Sequence, residues 1–431
     1  MNGVVSPART AALWVLSRCR RFDSWSGQTL ESARLRFSLD DRDAALCFRL
    51  CRSVLQNAAL LDFYIGCYSS RRPEELEPRV LDVLRLGAAQ ILFADRIPDS
   101  AAVNESVELI KHTNKKAAGT VNAVLRQIAR NRNSLPAIPD PGTARELSIR
   151  FSHPLWLCDR LISDHGYEFS RDFLEMNNTQ PDLTVTANLC HNDTVSLAKR
   201  FCEAGYAADV SPLSVLSVCL RSAGNVASLP GYENGDFYVQ DAAAATGVIR
   251  AEPKPGMKVL DTCASPGGKS MLCAVMMGDR GEIVACDIHE KKLSLIEANS
   301  LRLGFGCIRT ETMDASTPPH HLHDVFDLVI ADVPCSGFGV IRKKPEIRYK
   351  DPAQIALLPD VQLRIIHGAA SCVKENGMLL YSTCTVFCEE NEEVVAAFLE
   401  KNRRFTLETQ RTIWPQEFGT DGFYYALLRK E

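Results

Sequence analysis

The stretch F-D-L-V-I-A-D-V-P-C-S-G-F-G, Phe326–Gly339, decides how the chain folds. Leu328, Val329, Ile330 and Ala331 form a short apolar run of the kind a parallel sheet buries on both faces. The run ends in Asp332, Val333, Pro334 and Cys335, followed by a turn at Gly337 and Gly339. A strand finishing in Asp-x-Pro-Cys sets a carboxylate and a thiol at its carboxyl end, where open α/β sheets bind ligands. A second stretch repeats the arrangement: G-M-L-L-Y-S-T-C, Gly377–Cys384, is an apolar strand ending in a thiol. Paired strands lie about 5 Å apart, so if these two are neighbours, Cys335 and Cys384 face one pocket.

Strands and helices alternate around this pair. Lys258–Leu260, Ile283–Cys286, Ile308–Glu311, Leu328–Ala331 and Met378–Tyr381 read as strands, with a terminal pair near Phe405 and Tyr424–Leu428. Helical periodicity at Lys269–Met277 and Lys291–Leu303 separates the main strands. The pattern predicts an α/β domain with a doubly wound, mostly parallel sheet over residues 238–431.

The first strand runs into D-T-C-A-S-P-G-G-K-S, Asp261–Ser270. Glycines between a strand and a helix let a ligand approach the backbone and expose amide donors. Gly268-Lys269-Ser270 mimics the end of a phosphate-binding P-loop, but Cys263 stands where that loop needs its first glycine. The three-glycine dinucleotide fingerprint is absent as well. About 20 residues further on, the second strand ends at Asp287, placed to accept hydrogen bonds from a ribose diol. Asp314, after the third strand, can reach a base amino group. These features describe a nucleoside site with no triphosphate, which suits S-adenosylmethionine.

The two thiols suggest what the site does. C5 of a cytosine is too poor a nucleophile to attack a methylsulfonium directly. A thiolate adding to C6 makes an enamine-like adduct whose C5 can take the methyl group. Asp332 would hydrogen-bond the ring near N3 and the exocyclic amine, and Lys269 would lower the pKa of the nucleophilic thiol. The residues alone leave open which thiol attacks. A lone thiol at a strand end is normally inert filler; two at neighbouring tips, each near a polar or acidic residue, are not.

Composition sets the surroundings. Length of 431 residues, 46% hydrophobic and 24% charged residues fit a soluble protein of two or three domains. No apolar run approaches a membrane span, and the first residues lack a secretory signal's basic and apolar regions, so a cytoplasmic protein is expected. The 16 cysteines show no regular spacing and no C-x-x-C pair, as expected of reduced thiols. His320, His321 and His323 have no fourth ligand in spacing and read as a surface loop, so no metal is expected. From Met1 to Leu135, 20 Lys and Arg stand against 14 Asp and Glu, whereas the remainder carries 29 against 39. A basic module joined to an acidic one suits a nucleic-acid partner.

That basic part, residues 1–135, has helical periodicity, as in Ala44–Leu55 and Val80–Phe93, with breakers at Pro73, Pro78 and Pro98. N-R-N-S-L-P-A-I-P-D-P-G, Asn131–Gly142, reads as a linker. Residues 143–237 read as a small α/β module, with a strand at Leu183–Ala187 and a helix capped near Asp193. The basic run Arg342, Lys343, Lys344 and Arg348 follows Cys335 closely and is expected to neutralise RNA phosphates. A cytosine must leave its stack to meet a thiol in a pocket, so the substrate should be unstructured or locally opened RNA.

Taken together, D-T-C-A-S-P-G-G-K, Asp287, Asp314, D-V-P-C-S-G-F-G-V-I-R-K-K-P-E-I-R-Y and Y-S-T-C resemble the RNA 5-methylcytosine methyltransferases in order and register. The resemblance covers roughly Phe151–Lys430 and implies a Rossmann-like methyltransferase sheet. It implies that Cys384 is the nucleophile and that Cys335 assists product release. It also carries the cofactor site onto Cys263, Ala264, Pro266, Gly267, Gly268, Lys269, Asp287, Asp314 and Asp332. Val333, Ser265, Ser270, Phe338, Glu346 and Tyr349 depart from the family's usual residues, and none removes a reacting group. L-R-L-G-A-A-Q-I-L-F, S-A-A-V-N-E-S-V-E-L-I-K and G-T-V-N-A-V-L-R-Q-I-A-R resemble the helical RNA-binding domain related to the antitermination factor NusB. The fusion is similar to bacterial small-subunit (16S) rRNA cytosine-C5 methyltransferases, which implies ribosomal RNA as partner. The rival expectations are a non-catalytic RNA-binding or ribosome assembly factor, a methyltransferase acting on another RNA, and a DNA enzyme in which the Pro-Cys thiol attacks.

Overall fold

A computed structural model describes residues 5–22, 26–221 and 223–431. The chain divides into two compact units, Met1–Asn178 with Lys344–Tyr349, and Thr179–Lys343 with Lys350–Glu431.

The second unit contains two sheets. A four-stranded antiparallel sheet is built from β1 (Leu183–Ala187), β2 (Ala207–Val210), β3 (Ser217–Arg221) and β4 (Phe237–Val239), in the order β2-β3-β1-β4. The larger sheet holds β5 (Lys258–Asp261), β6 (Glu282–Asp287), β7 (Ile308–Thr312), β8 (Phe326–Asp332), β9 (Val373–Thr383), β10 (Phe405–Ile413) and β11 (Phe423–Lys430). Their order is β10-β11-β9-β8-β5-β6-β7. The run β9-β8-β5-β6-β7 is parallel, and β11 and β10 pair antiparallel. Every strand expected in this sheet is present, and the doubly wound arrangement follows.

Sequence explains why β8 and β9 lie inside. Leu328, Val329, Ile330, Leu379, Leu380 and Tyr381 are all buried. Each side chain of this size contributes about 1.5–3 kcal/mol when removed from water. The strand order reverses at β5, with β6 on one side and β8 on the other. At such a switch point the loops leaving neighbouring strands diverge and a crevice opens at the carboxyl ends.

The first unit is helical. Its elements include Pro7–Phe22, Asp41–Gln56, Ala58–Tyr68, Pro78–Phe93, Asp99–Lys111 and Ala118–Arg130. Pro78–Phe93 is central, with Val83, Leu84, Leu86, Ala88 and Ile91 fully buried. At Gly87 a Cβ would sit 2.5 Å from Leu125 and 2.7 Å from Ser106 Oγ, so glycine sets how closely these helices approach. The helices Ala144–Phe151, Leu155–His165 and Tyr167–Met176 also group with this unit, so the contact boundary falls after Asn178 rather than in the proline-rich segment at 131–142.

The structure corrects the reading of the basic run after Cys335. Arg348 is completely buried in the helical unit. Its guanidinium donates to the carbonyls of Gln56 (3.0 Å), Phe151 (3.2 Å) and Ser152 (3.1 Å) and to Asn178 Oδ1 (2.9 Å). Gln56 and Phe151 end helices, where carbonyls lack intrahelical partners and the dipole favours a cation. Burial nevertheless pulls the Arg348 pKa down to about 10. Arg342 is buried and donates to the Gly419 carbonyl at 2.6 Å. Lys343 bridges Asp241 (2.6 Å) and Asp421 (2.7 Å). Burial opposes its charge, but the two carboxylates outweigh that and raise its pKa. Lys343 and Lys344 are exposed, so two of the four cations are buried. Ile341, Pro345 and Ile347 are buried, and the adjoining Arg342 and Arg348 are carried inward with them to acceptors far away in sequence.

Replacing Arg348 by Met would strand three carbonyls and an amide oxygen in the interior. An unpaired buried polar group costs about 1–3 kcal/mol, so the variant should lose about 3 kcal/mol or more in urea unfolding. An unchanged midpoint would count against the assigned role.

Candidate active site

The crevice is a cleft of about 530 Å³ at the carboxyl ends of β5, β6 and β8, within the size range of small-molecule sites. Thr262, Cys263, Asp287, Asp314, Asp332, Cys335 and Cys384 all line it.

The β5 loop is held from below. Thr262 donates through its amide and its hydroxyl to Ile330 O (2.9 and 3.0 Å), and Ala264 N donates to Cys286 O at 2.7 Å. Gly267 has φ +105°, a left-handed backbone that favours glycine, and so turns the chain into the helix Gly268–Met277. Cys263 and Ser265 reach the cleft, whereas Ala264, Pro266, Gly267 and Gly268 shape the loop without lining it. Burial pushes the Cys263 thiol up to about 12, which makes it unreactive filler.

Three carboxylates stand along the wall. Asp287 accepts from the His289 amide at 2.9 Å and lies 3.8 Å from Lys292. Asp314 accepts from the Ser316 amide (2.8 Å) and hydroxyl (2.7 Å), which hold its pKa below the usual range. Asp332 meets Lys269 Nζ at 2.6 Å and the Ser382 hydroxyl at 2.8 Å. Lys269 is buried and lies 4.9 Å from the centre of the Phe423 ring. Its ammonium is thus engaged with Asp332, and the expected action on a thiol has no direct contact behind it here. Such a wall of acceptors fits a ligand rich in donors and positive charge: a ribose diol, a base amino group and a sulfonium.

The two sulfurs meet. β8 and β9 pair in parallel with Asp332 opposite Ser382, and Cys335 Sγ lies 3.2 Å from Cys384 Sγ. No disulfide joins them. The hydrogen bond to Cys384, then burial, push the Cys335 thiol well above its ordinary pKa, so Cys335 keeps its proton.

Beneath the sulfurs lies a polar network that the sequence reading missed. Glu390, 1% exposed, accepts from Ser336 N (2.8 Å), from Ser336 Oγ and from Gln362 Nε2 (2.9 Å). Its neighbour Asn391, completely buried, accepts from Thr383 Oγ1 (2.6 Å) and donates to Thr385 O (3.2 Å). In the sequence both sit in C-E-E-N-E-E, Cys388–Glu393, which looks like a solvated acidic helix start. Only their spacing of six and seven residues from Cys384 hinted otherwise. Gly339 seals the loops: a Cβ there would lie 2.1 Å from Gly422 O and 2.8 Å from Cys384 O. His323, from the histidine loop, is 3.1 Å from Pro318 O, and among the described residues no group of His, Cys, Asp or Glu could hold a metal ion.

Fold and site together define a methyltransferase of the Rossmann-like class. The description "16S rRNA methyltransferase RsmB/F" matches residues 248–429, "NusB family" matches 6–130, and "Methyltr_RsmF/B-like, ferredoxin-like domain" matches 153–227. A probable ribosomal RNA small subunit methyltransferase B of Bacillus subtilis is 34% identical over 98% of this chain and 98% of its own. Ribosomal RNA small subunit methyltransferase B of Erwinia tasmaniensis is 31% identical over 91% and 92%. The crystal structure of PH0851 superposes with a TM-score of 0.81 at 24% identity, over 99% of this chain and 100% of that one. The chain belongs to the RsmB/F family of 16S rRNA methyltransferases. Among the described residues, no helix is long and apolar enough to cross a membrane.

Asp261, at the end of β5, has no exposure and accepts from Ser270 Oγ at 2.7 Å. Burial raises its pKa to about 7, against about 3.9 in an unfolded chain. Unfolding therefore lets it ionise between these values, and its burial cost grows as pH rises from about 4 to 7. Asp261→Asn cannot ionise. The variant's stability relative to the parent should rise by about 2 kcal/mol between pH 5 and pH 8, as read from urea midpoints. A constant difference across that range would contradict the assignment.

Proposed function

We propose that the protein methylates C5 of a cytosine in small-subunit (16S) ribosomal RNA, using S-adenosylmethionine and a covalent Cys384–C6 adduct. The observation that carries this reading is the 3.2 Å approach of two thiols at adjoining strand tips. A carboxylate and a cleft of nucleoside size lie in the same wall.

Of the two sulfurs, Cys335 is the one held protonated by its neighbour and by burial, and Cys384 is assigned the attack, giving its proton to solvent. The Cys384 thiolate adds to C6 of a flipped cytosine, and the ring's electron density moves toward C5. Asp332, oriented by Lys269 and Ser382, accepts from the exocyclic amine and fixes the ring. Asp287 and Asp314 would hold the ribose and base of the cofactor, which supplies an electrophilic methyl group. Once Cys384 is bonded to carbon, Cys335 loses the sulfur that kept it protonated and can pass its proton to solvent. It then removes the C5 proton; the C5–C6 double bond re-forms as the C6–S bond breaks, restoring the Cys384 thiolate. The NusB-like helices, with their excess of Lys and Arg, would add affinity for the RNA backbone.

Cys384→Ala should abolish transfer and form no adduct. Cys335→Ala should accumulate a protein–RNA species that survives denaturing electrophoresis. Activity remaining in Cys384→Ala ends the proposal, and exchanged phenotypes would make Cys335 the nucleophile. Sequencing bisulfite-treated ribosomal RNA from cells with and without the protein locates the product.

A further inference from the structure

We infer that Glu390 and Asn391 are positioning residues for the two thiols, Glu390 acting mainly on Cys335 and Asn391 mainly on Cys384. The inference rests on the proposed division of labour between the thiols and goes beyond it, because neither residue lines the cleft.

The residues flanking each cysteine are bound to one of these two side chains, directly or, for Pro334, through Gln362. On the Cys335 side, Ser336 gives both its amide and its hydroxyl to Glu390. Pro334 O accepts from Gln362 Nε2 at 3.0 Å, and the same nitrogen donates to Glu390 at 2.9 Å. On the Cys384 side, Asn391 takes the Thr383 hydroxyl and gives its amide to Thr385 O. One bridge joins the halves: Thr385 Oγ1 lies 2.8 Å from Ser336 Oγ. The Ser336 proton points to Glu390, so Thr385 must donate in that bridge, and all protons in the chain run toward the carboxylate. Tyr381 O–H, from β9, donates to the Glu390 carbonyl at 2.5 Å and ties the dipeptide to the sheet.

Geometry is what such a node controls. The two loops pack on each other through Phe338 and Phe387, whose ring centres lie 4.8 Å apart, but the residues next to the sulfurs are fixed by hydrogen bonds, and a misplacement of about 1 Å at a reacting atom can cost about 100-fold in rate. Glu390 also adds charge. Its carboxylate is one of the groups that raise the Cys335 pKa, after Cys384 and burial. Facing Cys335 from the packed elements are thus the Cys384 thiol, the Glu390 carboxylate and the Tyr381 phenol; close by, Lys350 gives its Nζ to Ser336 O at 2.8 Å.

The two variants should therefore separate the two halves of the reaction. Asn391→Ala should lower the single-turnover rate of adduct formation by about 10- to 100-fold, with the KM for RNA unchanged. Glu390→Gln should form the adduct at the parental rate but release it more slowly, and its release should shift to lower pH because a negative charge beside Cys335 is gone. Ser336→Ala, a smaller change, should slow release in the same sense without the pH shift, and serves if Glu390→Gln fails to fold. Binding of S-adenosylmethionine, followed by calorimetry, should stay within about twofold of the parent for all three. If Asn391→Ala slows only release, or Glu390→Gln and Ser336→Ala release at the parental rate, the inference is overturned while an inactive Cys384→Ala leaves the proposed reaction standing. If Cys384→Ala is active, the reaction itself is wrong.

Discussion

The parallel pairing of β8 with β9 is the interaction on which the site depends. It sets Asp332 opposite Ser382, and from that register the thiols three residues beyond Asp332 and two beyond Ser382 reach one point. Side chains alternate along a strand, so a slip of one residue would turn each functional group to the wrong face. Such a slip would also move each apolar residue between them from one packed core to the other. Leu328, Ile330, Leu380 and Val329, Leu379, Tyr381 are buried on opposite faces of the sheet, so the register that hides them is the register that joins the sulfurs.

Charge near the thiols is handled locally. Lys269 is given to Asp332, and Lys343 to Asp241 and Asp421. Asp241 also caps the helix Ala242–Ala251, accepting from Ala243 N at 3.0 Å. These cations are each held by a nearby carboxylate. Counting basic residues near a catalytic motif therefore overstates phosphate contacts when apolar residues are interleaved, as Ile341, Pro345 and Ile347 are here.

Legibility in the sequence followed the range of the interactions. Strand runs such as Leu328–Ala331 announced themselves through burial on both faces, and the Gly267–Gly268 turn through its residue types. Acids at strand ends were placed correctly because topology fixes where those ends lie. The short strands Ala207–Val210 and Phe237–Val239 were missed: four and three residues give a period of two little room to show. Arg348 was misread because its partners are helix-terminal carbonyls, which any sequence can supply and none advertises. The same holds for Glu390, whose meetings with Ser336 and Gln362 span 54 and 28 residues of chain.

A buried acidic node beneath the paired thiols needs a physical reason, since apolar packing would be less costly. Glu390 meets three donors, and in a low-dielectric interior such bonds reinforce one another while any vacancy is severely penalised. An apolar core would tolerate small shifts of both loops, because dispersion contacts vary smoothly with distance. A chain of oriented hydrogen bonds allows one arrangement. For two sulfurs held 3.2 Å apart on separate loops, that directional rigidity is the property that apolar packing does not provide.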